Sequence, residues 1–394
     1  MKLEIWSPLP PTPSGVAAHV AEVLPRLRDR VDVSVIVERP ADVEAGALSG
    51  VEARSPDGSD PKALRLYELG NSHHHGFVYR EALRCPGVLR LHEWSLHDLV
   101  LWETHFRGDD GAYERLMSEA YGARGRLVAH QVLGGHKTPL LESMYPLSEH
   151  VVAGCRAVVA TTALTCSRAA AVRPGLPTIH LPLHALPPVV RVPSREEARN
   201  ALALPAGAFV VTAPGLVNPL KGLDVSLRSA GRLRRRGVPL HFVVAGRNEP
   251  QLPLESWARE AGLVGAFELT GWLSLADFAR HIAAADVVLA LRFPTLGEAS
   301  AVLLRAMAVG RPAIVTAGTP ADVEFPEGVV VPVDPGRYEE AELEAQLELL
   351  FRRPDVGERI GQRARLHVRR HHDPDDLAER LVRFLESIAS AESR

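Results

Sequence analysis

The sequence predicts an α/β protein made of two doubly wound parallel-sheet domains. Two observations carry that prediction. Short apolar runs alternate with helix-patterned stretches along the whole 394-residue chain, which implies parallel strands joined by right-handed crossovers. A proline-rich break, "HALPPVVRVPSREEARNALAL", then divides the pattern into halves of similar length, in keeping with the size of ordinary domains.

In the first half the predicted strands are Leu3–Trp6, Val33–Val37, Arg65–Leu69, Val88–Leu91, Val158–Thr161 and Ile179–Leu181, with helices at Val16–Leu27, Leu96–Phe106 and Tyr113–Arg124. The break holds Pro187, Pro188 and Pro193. Ser194 with Glu197 three residues on then reads as a capping box. The second half predicts strands at Phe209–Ala213, His241–Ala245, Phe267–Thr270, Val287–Leu291, Ala313–Thr316 and Val329–Val333. Its helices fall at Leu223–Arg236, Leu254–Ala261, Leu275–Ala285, Ala299–Val309 and Tyr338–Phe351. A last amphipathic stretch carries Leu377, Leu381, Phe384 and Ile388 at helical spacing. The resulting division is residues 1–187, residues 188–372, and a terminal helix over residues 373–394.

Composition narrows the function classes. A formal net charge of −3 gives no electrostatic footprint for nucleic acid. The N-terminal "MKLEIWSPLPP" has no apolar signal core, and no apolar run reaches the ~20 residues that span a bilayer. Peripheral membrane contact stays compatible with the sequence. Cys85, Cys155 and Cys166 lack metal-ligand spacing and read as buried free thiols of a cytoplasmic protein.

In open parallel sheets ligands sit beyond the carboxyl ends of the strands, and the unusual residues of this chain follow its strands. After the first strand, Ser14-Gly15 opens a helix whose free N–H groups suit an anion. After the first strand of the second half, Gly215 opens a loop that ends in Lys221-Gly222 at a helix start. Lysine is found only at positions 2, 62, 137 and 221 in this arginine-rich chain. A cation at a helix N-terminus opposes the dipole unless an anion is bound there. Gly246 and Arg247 end the next strand, where an arginine can pair with phosphate or stack on a base.

The stretch "LRFPTLGEASAVLLRAMAVGRP" puts Glu298 in the first turn of a buried helix, where the dipole favours its charge. With Thr295, Gly297 and Ser300 it makes a polar ledge suited to sugar hydroxyls, and the Gly297–Ser300 N–H groups suit a phosphate. His73, His74, His75, His92 and His97 crowd one segment, but adjacent His73–His75 point in alternating directions and no HExxH spacing occurs, so no metal site is expected. His92 ends a buried strand and suits hydrogen bonding or acid–base work.

Taken together, "SPLPPTPSGVAAH", "LGNSHHHGF", "PGVLRLHE", "GLVNPLKGLD", "LTGWLS" and "LRFPTLGEASAVLLRAMAVGRP" resemble the GT-B fold glycosyltransferases of family 4 (glycosyl transferase group 1), in a subgroup with a PTxGExS motif. The resemblance implies two Rossmann-like domains facing a cleft: an acceptor-side domain, a nucleotide-sugar domain, and a terminal helix that crosses back to the first. It implies a retaining, metal-independent, hexosyl-type transfer from a nucleotide-diphosphate sugar to an acceptor hydroxyl on a glycan, lipid or small molecule, with the nucleotide-sugar as co-substrate and no other cofactor. By resemblance, Glu298 binds the donor sugar, Lys221 the diphosphate, and His92 lies beside the transferred sugar. By the same resemblance Gly15 lies near the phosphates and Gly271 and Trp272 frame the base, while Gly215, Arg247, Gly297 and Ser300 join the candidate nucleotide-sugar site on the local reading above. Two departures stand out. Arg305 occupies the place of a second glutamate that binds ribose in many relatives, and Leu216 occupies the place of a common arginine, a charge that Arg247 or Arg292 can supply. The same architecture also hosts sugar-nucleotide epimerases, for which the His-rich segment would provide acid–base groups. A third reading is a non-catalytic nucleotide-sugar-binding protein.

Overall fold

The computed structural model describes residues 1–185, 191–248 and 251–392. The predicted linker residues Pro187 and Pro188, and with them the predicted boundary at 187/188, lie outside the described residues. By its internal contacts the chain divides into two units. The first comprises Met1–Leu183, Leu296–Ala299 and the chain from Pro374; the second comprises His184–Thr295 and Ser300–Asp373.

The first unit holds β1 (Lys2–Trp6), β2 (Asp32–Ile36), β3 (Glu52–Arg54), β4 (Leu64–Leu69), β5 (Val88–Leu91), β6 (Ala157–Ala160) and β7 (Thr178–His180). They form one sheet in the order β3-β2-β1-β4-β5-β6-β7, with parallel pairing throughout. The order reverses between β1 and β4, so the loops after these strands open the crevice typical of doubly wound sheets. The strands are apolar on both faces because helices cover both: Leu3, Ile5, Val35, Leu66 and Val159 fall in one core cluster, and Trp6, Tyr67, Leu69, Leu89 and Val158 in another.

Ser14 caps the helix Gly15–Arg28, and Val20, Leu24 and Leu27 bury its inner face. The terminal helix Pro374–Glu392 joins the same core through Leu377, Leu381, Leu385 and Ile388. Each such side chain contributes about 1.5–3 kcal/mol when removed from water. Leu385 fills the place predicted for Phe384, which is only partly buried.

The second unit holds β8 (Phe209–Pro214), β9 (Leu240–Ala245), β10 (Phe267–Leu269), β11 (Val287–Ala290), β12 (Ala313–Thr316) and β13 (Val331–Val333). They make one parallel sheet in the order β10-β9-β8-β11-β12-β13. Its reversal lies between β8 and β11. The capping box at Ser194 and Glu197 forms at the start of the helix Arg195–Ala201.

Several predicted elements differ from the structure. The exposed edge strand β3 was not expected, nor were the helices Gly76–Arg84, Ala163–Val172 and Pro354–His371. The predicted helix Leu96–Phe106 ends at Glu103, and the helix predicted at Tyr113–Arg124 extends over Asp110–Leu133 with Gly122 non-helical at φ 63. His73–His75 make a single 3-10 turn, with the His73 and His74 rings 4.0 Å apart. They do not alternate, because the segment is not extended. Of the three free cysteines, Cys155 alone is fully buried; Cys85 and Cys166 are part-exposed.

Candidate active site

The loop after β8 is built around close backbone approach. Gly215 sits at φ +89, and a Cβ there would lie 3.1 Å from Lys221 Nζ and 2.9 Å from Val302. A Cβ on Gly246 would lie 2.1 Å from the Gly215 carbonyl oxygen, so only glycine fits at the end of β9 beneath this loop. The loop is anchored by Gly215 N–H to Ala245 O at 2.9 Å and Val217 N–H to Arg247 O at 2.9 Å.

Lys221 ends the 3-10 turn Pro219–Lys221, and Gly222 in the left-handed region is the N-cap of the helix Leu223–Arg235. The lysine therefore precedes the helix rather than opening it. Its Nζ folds back to donate to Pro214 O at 2.9 Å. Burial, with Arg292 adding like charge, pushes its ammonium down to about 7. Among the described residues no carboxylate lies in ion-pair range of Lys221. Lys221 thus stands beside a second cation with no carboxylate of its own, which is favourable terrain for an anion.

Arg247 and Trp272 come together, with the guanidinium 5.4 Å from the ring centroid. Trp272 is 65% exposed, so this cation–π pair presents one large aromatic face to solvent. Gly271 precedes it at φ +73 with open space where a Cβ would stand.

The ledge after β11 is arranged differently from the prediction. The helix spans Ala301–Val309, and its N-cap is Ser300, whose Oγ accepts from Leu303 N–H at 3.2 Å. Glu298 therefore lies before the helix, not in its first turn, and its Oε2 accepts the Leu296 N–H at 2.7 Å. Gly297, at φ +84, is a packing glycine: its Cβ would lie 2.8 Å from Trp94 Cβ, and its carbonyl accepts from Thr162 and Thr165 hydroxyls at 2.9 and 3.0 Å. Leu296 O accepts from the N–H groups of Trp94 and Ser95. The four-residue segment Leu296–Ala299 is thus held by the first unit, while Ser300 and Arg305, the latter on the helix Ala301–Val309, belong to the second.

At the start of the first unit, Gly15 is exposed with open space around it. The Ser14 hydroxyl already accepts from Val16 and Ala17 N–H, so the helix start offers an anion fewer free donors than the sequence suggests.

His92 follows β5 and is 7% exposed. Its Nε2 lies 2.6 Å from Glu68 Oε2. A carboxylate only accepts, so Nε2 carries the proton and Nδ1 is the acceptor of the neutral ring. Burial lowers the His92 pKa against the pull of Glu68. Glu68 itself is opposed by burial, but Arg90, with Nη1 3.7 Å away, and the His92 hydrogen bond hold its carboxyl below the usual range. Its backbone carbonyl binds His75 Nδ1 at 2.9 Å. Glu68 and Arg90 are register partners on β4 and β5. These two residues were missed from sequence, although charges within the apolar runs "LRLYEL" and "VLRL" were the available signal.

Among the described residues no group of three or more His, Cys, Asp or Glu is placed to hold a metal ion, and no helix is long and apolar enough to cross a membrane.

No curated protein matches the chain in sequence. In structure the chain is similar to sucrose-phosphate synthase from Thermosynechococcus elongatus, at 14% identity and a TM-score of 0.68, over 99% of this chain and 100% of the other. It is also similar to Anabaena HepE in complex with UDP-glucose, at 17% identity and a TM-score of 0.66, over 98% and 100% of the two chains. WaaG, a glycosyltransferase of lipopolysaccharide biosynthesis, aligns at 14% identity and a TM-score of 0.61, over 96% and 99%. The fold is that of the GT-B glycosyltransferases, and residues 208–350, which include Lys221, Arg247, Trp272 and Arg305, match the Glycosyl transferases group 1 family.

Proposed function

We propose that the chain is a glycosyltransferase that moves a hexosyl group from a nucleotide-diphosphate sugar to an acceptor hydroxyl, with retention and without a metal ion. The observation that carries this reading is the Lys221–Arg292 pair of cations, set beside the tight Gly215 loop with no carboxylate on Lys221, inside the segment that matches the family. A diphosphate would supply Lys221 with a counter-ion. HepE, which shares the fold, is found with UDP and with UDP-glucose, and this favours a nucleotide-sugar as the anion.

The chemistry asks little of the protein beyond charge placement. The bond from the anomeric carbon to the diphosphate oxygen breaks, and the bond to the acceptor oxygen forms on the same face. The acceptor proton passes to the departing phosphate oxygen. Negative charge grows on the diphosphate as the bond lengthens, and the Lys221 ammonium and an arginine stabilise it where water is scarce. Trp272 offers a face for the base, with Arg247 behind it. Glu298 and His92 enter this reading through the family resemblance, as the acceptor of donor-sugar hydroxyls and as the residue beside the transferred sugar; both belong to the unit that does not hold Lys221.

A thermal-shift panel of UDP, GDP, ADP and dTDP sugars tests the reading. A ligand at 100 times its Kd stabilises by about 2.7 kcal/mol. One nucleotide class should raise the Tm of the wild type and leave Lys221→Ala unmoved. No shift with any of them, or equal shifts in both proteins, refutes the donor assignment.

A further inference from the structure

The sheet of the second unit has another charged end. Phe209 opens β8, Asp286 directly precedes β11 and Pro312 directly precedes β12. At these strand starts lies a cavity of about 210 Å³, lined by Arg195, Arg199 and Arg311 as well as Asp286 and Glu358. Lys221 follows the opposite, carboxyl end of β8, roughly 20 Å away along a six-residue strand.

Two of the three arginines are engaged. Asp286 Oδ1 accepts from Arg195 at 3.1 Å, and Oδ2 accepts from Arg199 and, at 2.7 Å, from the Val210 N–H. Arg195 also reaches Glu358 at 3.3 Å. Asp286 is therefore saturated by its own neighbours. Arg311 is the odd member: among the described residues its guanidinium has no ion-pair partner, and its Nε is buried without a hydrogen bond. Leaving a buried charged donor unmatched is costly, and burial together with Arg195 and Arg199 lowers the Arg311 pKa to about 10, against the opposing pull of Asp286 and Glu358.

We propose that this cavity is a second anion site that takes the phosphate group of a small phosphorylated molecule, with Arg311 as its principal ligand. A planar guanidinium pairs with tetrahedral oxyanions through two parallel donors. The cavity is larger than one phosphate needs, and Phe209 and Phe351, whose rings meet edge to face at 5.5 Å, wall it with apolar surface for the attached carbon skeleton. Nothing in the donor chemistry uses this place, so the site is independent of the proposed function.

The test uses the full chain carrying Lys221→Ala, which silences phosphate binding at the donor site. Glycerol 3-phosphate and inorganic phosphate are titrated, with binding read by calorimetry and by 31P line width. Saturable millimolar or tighter binding of glycerol 3-phosphate is expected. It should weaken at least tenfold in Arg311→Gln and tighten severalfold in Glu358→Gln, where a competing carboxylate is gone. Absence of saturable binding, or equal affinity in Arg311→Gln, overturns the proposal; so does binding of inorganic phosphate alone. Should Arg311→Gln fail to fold, Glu358→Gln decides by itself, and unchanged affinity there overturns the site.

Discussion

If Lys221 receives a diphosphate, nucleotide binding must take up a proton. In the free protein the ammonium is held near pH 7 by burial and Arg292. A bound diphosphate restores the charged form and moves the pKa back toward or above the ordinary lysine value of about 10.4. Below pH 7 the lysine is protonated in both states, and affinity is flat on its account. Above pH 7 the free protein is neutral and the complex charged, so one proton enters with the nucleotide. Affinity then falls tenfold per pH unit, or about 1.4 kcal/mol. That slope reflects proton number alone. Nucleotide phosphates finish ionising near pH 6, so the window from pH 7 to 9 isolates the lysine.

Calorimetry of UDP, or of whichever nucleotide the panel selects, in buffers of different ionisation enthalpy measures the uptake directly. About one proton at pH 8.5, falling to about half a proton at pH 7, is expected for the wild type, and none at either pH for Lys221→Met. Stability gives a second reading with the sign fixed by linkage. The folded pKa is depressed, so the unfolded chain binds more protons between pH 7 and 10, and the apo protein gains stability as pH rises through that range. Lys221→Met should therefore raise the apo Tm at pH 6.5 and converge with the wild type near pH 10. A wild-type affinity that stays level from pH 7 to 9 with no proton uptake would refute the argument, whatever Lys221→Met did to turnover.

Other expectations follow from the same geometry. Glu298→Gln keeps an oxygen for the Leu296 N–H, so the Tm should hold while transfer falls by the cost of a charged hydrogen bond, about 1.5–3 kcal/mol; steady-state kinetics beside a melt decide it, and a lowered Tm with full rate assigns Glu298 to the loop alone. Transfer should survive excess EDTA, and a loss restored by Mn²⁺ or Mg²⁺ counts against metal independence. Arg305→Glu should weaken nucleotide binding in calorimetry, and tighter binding refutes a role for its positive charge. Glu68→Gln removes the carboxylate beside buried Arg90 and should cost about 3–5 kcal/mol in denaturant melts near neutral pH. Because the folded Glu68 pKa is depressed, that difference should shrink as pH falls below about 4; a deficit independent of pH points to packing instead.

The sheets were legible because their signal is local. Buried parallel strands are short apolar runs, and the runs at Leu3, Leu66, Val211 and Val288 needed no partner to be recognised. β3 escaped because its three residues, Glu52–Arg54, sit on an edge and bury little. Gly215 and Lys221 stood out for the same local reason: a glycine directly after a strand and a rare lysine at the end of the loop it opens. Glu298 was seen, but its setting was misjudged, because two residues of loop decide whether Ala299 or Ala301 starts the helix, and the deciding bond is the Ser300 hydroxyl on Leu303 N–H.

The Glu68–Arg90–His92 network was illegible for a deeper reason. Each charge taken alone argues against its own strand, since a lone ion inside an apolar run has no local partner. Only the register of β4 against β5, which sets Glu68 beside Arg90, turns two unfavourable burials into one compensated group. That group then fixes the tautomer of His92 through the 2.6 Å contact. Here a buried charge in one strand is one half of a pair whose other half lies on the neighbouring strand. Read in that way, "LRLYEL" and "VLRLHE" would have named Glu68 and Arg90 together with His92.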